Sequence, residues 1–459
     1  MNLFFVTSTL SPKSSSKSIV SFFPFYYGWV IVAVSLVSLM VAYGIWWSFP
    51  VFYVSMLKEF GWSRAGTAAI FTIGSIVYGF SSLPAGALID RVGPRRLLPA
   101  AAALLAVGCL ISSAATEKWH FYVSYGGFMG IGTICMGYVP ISALISNWFL
   151  RRRAKALGIA LMGNVAPPLL AYPIQELISL AGWRTAYVVL AAVLLLFVVP
   201  LTGFFMRTRP RELGLEPDGG GAQKSGDDPS GGRPRDQVFP EVVNPKWAET
   251  DWDMLSSLKT FRFWALTGVM FTLGIGNGTL MSHLVAMVVD LGRSRETAAF
   301  IFSLAGLIGA AGRLSGFLSD RIGREVTFTL VTLLYLGSVF GLILFLNNAQ
   351  IWPLYLYAIT FGFGYGLGSP TLSSGAADLF IGRSFGSILG FSNIAFGVGQ
   401  GIGAWVGGAV FDAMGSYSWA VWMTLPCYIL MCISFWFMAP RKVRRIITTL
   451  RAHRPSVNR

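Results

Sequence analysis

Gly86-Ala-Leu-Ile-Asp90-Arg91-Val-Gly93-Pro-Arg95-Arg96 and Gly316-Phe-Leu-Ser-Asp320-Arg321-Ile-Gly323-Arg324 are one charged phrase written twice, about 230 residues apart. Each copy closes an apolar stretch long enough to cross a bilayer. Upstream, Gly61-Trp-Ser-Arg64 opens the first of these stretches and Gly292-Arg-Ser-Arg295 opens the second. A helix–loop–helix unit that recurs in both halves of an apolar chain marks a membrane protein built as a two-fold repeat.

Composition agrees. The chain is 54% hydrophobic and 12% charged, with a mean hydropathy of +0.63, against roughly 25% charged residues in soluble domains. Cys109, Cys135, Cys427 and Cys432 all sit in apolar stretches with no ligand types beside them, so they read as buried, inert thiols. There is no phosphate-binding loop, metal cluster or nucleophile constellation. The glycine strings of the fourth, tenth and eleventh stretches lack a strand–turn–helix context and serve close helix packing instead. The sequence therefore argues against an enzyme, against ATP as a driving force, and against any cofactor.

The net charge of +15 has two readings, a nucleic-acid partner or a topological bias. Windows of about 20 apolar residues fall near 27–52, 66–90, 96–115, 121–147, 154–180, 185–206, 263–289, 296–320, 326–347, 351–377, 385–411 and 417–439. With the N-terminus in the cytoplasm, Lys58, Arg64, Lys118, Arg184, Arg293 and Arg295 are the external cations. Arg313 falls within a span, which leaves 28 of the 35 Lys and Arg residues on the inner face. That asymmetry is the positive-inside pattern with both termini inside. The basic excess is topological, nucleic acid is not expected, and the tail from Arg441 also suits anionic lipid.

Boundaries follow from composition. Residues 1–25 form a cytosolic lead with Ser-Pro-Lys-Ser-Ser-Ser-Lys and no signal-peptide cleavage pattern. Residues 26–206 carry the first six spans and 207–260 a Gly/Pro/Ser-rich cytosolic linker. Met254 to Phe263 then reads as a short amphipathic helix on the inner surface before the seventh span. Residues 261–440 carry the last six spans and 441–459 form a basic cytosolic tail. The expected fold is all-α, with twelve transmembrane helices in two six-helix, pseudo-symmetric halves.

The repeated phrase, G-x-L-x-D-R-x-G-R with Pro94 inserted in the first copy, resembles the loop signature between the second and third helices of the major facilitator superfamily. The second copy resembles its echo between the eighth and ninth. Tyr26-Tyr27-Gly28-Trp29 at the first span resembles the start of proton-linked monocarboxylate transporters and the related bacterial oxalate/formate group. Trp148-Phe149-Leu150-Arg151-Arg152-Arg153-Ala154-Lys155-Ala156-Leu-Gly158 is similar to their signature before the fifth span, and Asp378-Leu-Phe-Ile-Gly382-Arg383-Ser-Phe385-Gly386 to the bacterial relatives. The resemblance implies a secondary carrier of small organic anions in a bacterial inner membrane. It would move monocarboxylates by alternating access with proton symport or anion exchange, and work as a monomer. A carrier of drugs or other hydrophobic solutes is the alternative within the same fold. Animal monocarboxylate carriers have a lysine important for proton coupling near Tyr43 to Phe52. Here Ile45-Trp46-Trp47-Ser48-Phe49 has no ionisable group, which leaves lysine-based coupling without its residue.

The site residues follow. Asp90, Arg91, Gly93, Arg95, Asp320, Arg321 and Arg324 are expected to form a conformational latch. A carboxylate at a helix end pairs with the loop guanidinium or faces the N-terminal dipole of a helix in the opposite half; otherwise they are a solvated turn. Glu325 replaces Arg95 in ungapped alignment and weakens the second copy. Arg313 lies seven residues from Asp320, about 10 Å into the membrane. At that depth an arginine costs at least about 2.5 kcal/mol unless it faces a wet cavity or a partner. A guanidinium fork matches a carboxylate, and the related carriers use an arginine in this helix for their substrate carboxylate; a structural intramembrane pair is the other reading. Tyr138, Tyr365 and Asn164 are further substrate-binding candidates. His283 is a proton-coupling candidate, or else a hydrogen-bonded core residue.

Overall fold

Glycines in the left-handed backbone region mark the helix turns of both halves. Gly61 (φ 62°), Gly93 (φ 77°) and Gly182 (φ 81°) recur as Gly292 (φ 78°), Gly323 (φ 99°) and Gly415 (φ 68°). Each pair is about 230 residues apart. Such φ values are strained for a residue with a Cβ, so the glycines of the repeated phrase hold the turn of the repeated unit.

The structure is a computed structural model that describes residues 24–149, 152–164, 167–219, 241–380 and 385–445. The side chains of Asp90 and Tyr138, both in described helices, lie outside that description. The first half comprises α1 (Gly28–Phe60), α2 (Arg64–Val92), α3 (Pro94–Ser113), α4 (Lys118–Trp148), α5 (residues 153–181) and α6 (Trp183–Phe205). The second comprises α7 (Phe261–Asp290), α8 (Arg295–Leu314), α9 (Arg324–Asn348), α10 (Trp352–Leu379), α11 (Phe385–Met414) and α12 (Ser418–Lys442). Twelve helices in two six-helix halves is the expected architecture. Among the described residues, ten helices are long and apolar enough by themselves to cross a membrane. The other two crossings are α5 and α10. α5 is split into Arg153–Leu161 and Ala171–Ala181 around Pro167-Pro168, where proline removes backbone donors. α10 runs 28 residues, but Gly, Ser, Thr and Pro370 dilute its apolar content.

Two breaks shape the centre. α1 is interrupted at Ser48, with Pro50 in the first turn of its second segment Phe49–Phe60; Pro50 has no amide to give the carbonyl of Trp46. α4 contains a π-helical stretch, Tyr122–Gly130, and restarts at Tyr138 after Met136 and Gly137. Such irregularity is tolerated at membrane depth where it lines a cavity or is buried in protein.

α11 packs on α2 of the other half along one face and on α7 along another. A Cβ at Gly397 would run into the Ser75 carbonyl of α2, and one at Gly399 into the Phe271 carbonyl of α7. Small residues permit this closeness, which membrane helices use in place of a hydrophobic driving force. Large apolar side chains such as Leu180, Leu196 and Phe204 point outward to where lipid would lie.

Between the halves, Tyr26 and Trp148 lock the segment after α6 to the first half. The Tyr26 hydroxyl donates to the Trp148 carbonyl (2.9 Å) and the Glu216 carbonyl (3.1 Å), and Trp148 Nε1 donates to the Arg207 carbonyl (2.8 Å). On the second half, β1 (Glu241–Val242) pairs antiparallel with β2 (Arg444–Arg445). Helix Met254–Leu258, capped by Asp253, then leads into α7.

Candidate functional site

A cavity of about 370 Å³ lies between the halves. The first half contributes Tyr43, Trp46, Trp47 and Tyr78, the second Arg313, Tyr335, Tyr365 and Gln400. Its lining runs to Phe385 and Gly386, the first residues of α11, at the end of the molecule that carries Arg324. Arg313 is the one charged side chain among the described lining residues, and nine of the 26 are aromatic.

Glycines position Arg313. Gly366 of α10 sits so close to α8 that a Cβ there would strike the Gly309 carbonyl and approach the Arg313 amide at 2.8 Å. Gly312 has the same relation to Phe363. This contact sets Arg313 and Tyr365 side by side on neighbouring helices. From the opposite half, the Tyr43 and Tyr78 hydroxyls bond each other at 3.0 Å, and Arg313 is near enough to Tyr43 and Tyr365 to act on both electrostatically. Trp46 stacks on Tyr78 (ring centroids 5.5 Å, planes 27° apart) and packs against Phe71 and Tyr125. With 1% of its surface exposed, Trp46 is a fixed wall.

The other sequence candidates divide by place. Asn164 lines the cavity with Arg313 and Tyr365. Tyr138 begins the last segment of α4. His283 is fully buried away from the cavity lining: its Nε2 donates to the Ala404 carbonyl at 2.7 Å, and its ring packs between Tyr53 of α1 and Tyr417. Nδ1 has no hydrogen-bond partner.

In the second copy of the charged phrase, Arg324 donates through Nη1 to Asp320 (2.5 Å) and through Nε to Asp378 of α10 (3.0 Å). These pairs lie within one half. Arg321 stands over the Phe317 ring at 5.2 Å. Arg91 and Arg95 of the first copy are exposed beside Gly93. Glu325 is buried and accepts the Arg441 amide at 2.9 Å.

A contact between the halves that sequence reasoning missed lies at the opposite end. Asp412, at the end of α11, accepts from the Arg64 amide (2.9 Å) and the Ala65 amide (2.8 Å) at the start of α2. Arg64 reaches Asp290 of α7 (2.7 Å) and the Tyr417 hydroxyl (2.9 Å), and its guanidinium lies 4.1 Å from the Phe411 ring centre. Ser179 donates to Glu296 (3.1 Å), and the Tyr172 amide donates to Ser303 (3.0 Å). The halves are thus pinned at the Arg64 end. Among the described residues the Arg324 end has no ion pair between the halves. The only signal in the sequence was the repeated Arg64 and Arg295; Asp290 and Asp412 read as ordinary helix ends.

Two six-helix halves pinned at one end around a central cavity define a membrane transporter. The family model of the Major Facilitator Superfamily matches residues 34–394, and the chain belongs to that superfamily. It is similar to monocarboxylate transporter 13 of Rattus norvegicus, 29% identical over 85% of this chain and 84% of that protein. It also resembles the uncharacterized MFS-type transporter YcxA of Bacillus subtilis (strain 168), 24% identical over 81% and 85%. Human monocarboxylate transporter 2 is 24% identical over 90% and 85%. These relatives and the superfamily are transporters, not enzymes.

Proposed function

We propose that this protein is a secondary transporter of monocarboxylates that works by alternating access. The observation that carries the reading is the placement of Arg313 as the one charged side chain among the described residues of a cavity shared by both halves. A guanidinium presents two parallel donors to a carboxylate, and the Tyr365 hydroxyl with the one free proton of the Tyr43–Tyr78 pair stands ready to complete the shell. Because this shell draws on both halves, a bound anion draws them together. Asn164 lines the same cavity from the first half, and Tyr138 stays a candidate on its place in the sequence. Relatives named monocarboxylate transporters support the substrate class.

In this reading both termini and the Arg324 end face the cytoplasm, in a bacterial inner membrane, and the described state opens inward. The Asp90 and Asp320 phrases then latch the inner end in the alternate, outward-facing state. Coupling is by exchange of one anion for another or by symport with a proton. The described cavity lining has no Asp, Glu, His or Lys to carry that proton. His283 is the nearest candidate in chemistry, though it sits in the Arg64 contact rather than the cavity.

Counter-flow in proteoliposomes with labelled lactate, pyruvate, oxalate and formate tests the reading. Saturable exchange is expected, abolished in Arg313→Gln and weakened in Arg313→Lys, where a point charge replaces a fork. An inward proton gradient that raises uptake marks symport; indifference to it marks exchange. His283→Ala separates the proton routes: symport that loses its pH dependence but keeps exchange places the proton on His283. Normal anion transport by Arg313→Gln would instead favour the carrier of hydrophobic solutes, which the aromatic wall would also suit.

A further inference from the structure

We infer that the preferred substrate is a monocarboxylate with a bulky, flat apolar body, such as an aryl-substituted short acid, rather than a small acid or a dicarboxylate. This rests on the carboxylate reading of Arg313. Three features of the cavity carry it.

The first is an apolar stretch of wall beyond the head, interrupted by Asn393 and Gln400. The Tyr43 hydroxyl marks the head region with Arg313, and Trp46 stands three residues further along the same helix, about 4.5 Å deeper. Trp46 and Trp47 form the wall beyond the head, with Met270, Leu273 and Phe396 contributed by the other half. A substrate that ends at its carboxylate would make no contact with this wall.

The second feature is rigidity. Trp46 is held by Phe71, Tyr78 and Tyr125, and Phe71 is itself stacked on Phe49 (5.0 Å, 23°). A wall fixed in this way does not collapse onto a small acid, and a planar ring meets it in offset or edge-on geometry. The third is charge. With one guanidinium in the described lining, a second carboxylate would enter a largely apolar cavity with no second cation to receive it, which is costly.

Covering apolar surface with the body of the substrate favours the aryl acid over lactate by at least about tenfold. The test uses full-length protein in proteoliposomes, with inhibition of labelled pyruvate counter-flow by unlabelled 3-phenylpropionate, lactate and oxalate. Direct uptake of labelled 3-phenylpropionate excludes a mere blocker. The expected result is half-inhibition by 3-phenylpropionate at a concentration at least tenfold below lactate, with oxalate weakest, and saturable 3-phenylpropionate uptake. Trp46→Leu should shrink the ratio between the aryl acid and lactate. Equal or better inhibition by lactate or oxalate, or inhibition by 3-phenylpropionate without uptake, overturns the inference while leaving the carboxylate reading in place. Failure of every carboxylate to exchange overturns both.

Discussion

Asp412 accepts two amides, those of Arg64 and Ala65, that belong to the other half of the molecule. The first amides of a helix have no partner within it, and a carboxylate there also meets the positive end of the helix dipole. Arg64 adds its ion pair to Asp290. In the proposed alternating-access cycle, the whole contact breaks before the Arg64 end opens. Asp412→Asn keeps the shape, but its amide accepts through Oδ1 alone and turns an N–H donor on the second amide, and loss of a helix-capping bond costs about 0.5–2 kcal/mol. That is enough to change the ratio of the two facing states by roughly 2- to 30-fold. Cysteine labelling from each face of the membrane should register a shift toward opening at the Arg64 end, with expression retained. Unchanged labelling in Asp412→Asn and in Asp290→Asn would reduce the contact to a static staple. Arg313 was legible in the sequence because an arginine inside an apolar run is chemically expensive. Asp412 and Asp290 were not, because a carboxylate at the end of a span is ordinary until the packing of the halves reveals what faces it. Asp378 was missed for the same reason: its role depends on Arg324, 54 residues away.

At the scale of elements, α11 is the helix on which both halves depend. Its glycines sit against carbonyl oxygens of α2 and α7, with no room for a side chain at Gly397, Gly399 or Gly403. Gly397→Leu is expected to prise α2 from α11, lower the melting temperature of the detergent-solubilised protein by several degrees and lose transport. Gly127→Leu, at an exposed position where a Cβ meets nothing within 4 Å, is the matched control and should leave both intact. Equal stability of the two variants would mean that the α2–α11 contact is loose. The glycine strings told of close packing in advance. Which face of α11 met which neighbour did not follow from them, because alternate glycines serve different partners. The breaks in α1 and α5 were readable only as prolines, and their depth in the membrane came from the packing.

For the whole molecule, the two-fold repeat was legible because the same turn needs the same glycine, as at Gly93 and Gly323. The orientation in the membrane rests on the basic bias of the loops. Reporter fusions after Arg153, Lys224 and Arg445 are therefore expected to read cytoplasmic, and fusions near Lys118 and Arg293 external. A cytoplasmic reading at Lys118 would overturn the span assignment. The segments that flank the central linker carry one more consequence. On one side, Tyr26 and Trp148 hold residues 207 and 216 to the first half. On the other, β1 is paired with β2, and Trp247 donates to the Leu379 carbonyl at 2.8 Å. Each half thus ties down its own end of the described chain, and the α2–α11 seam joins the halves. The chain can be treated as two separable cassettes: two polypeptides co-expressed with the cut inside 220–240 should find each other in the bilayer and rebuild a working carrier.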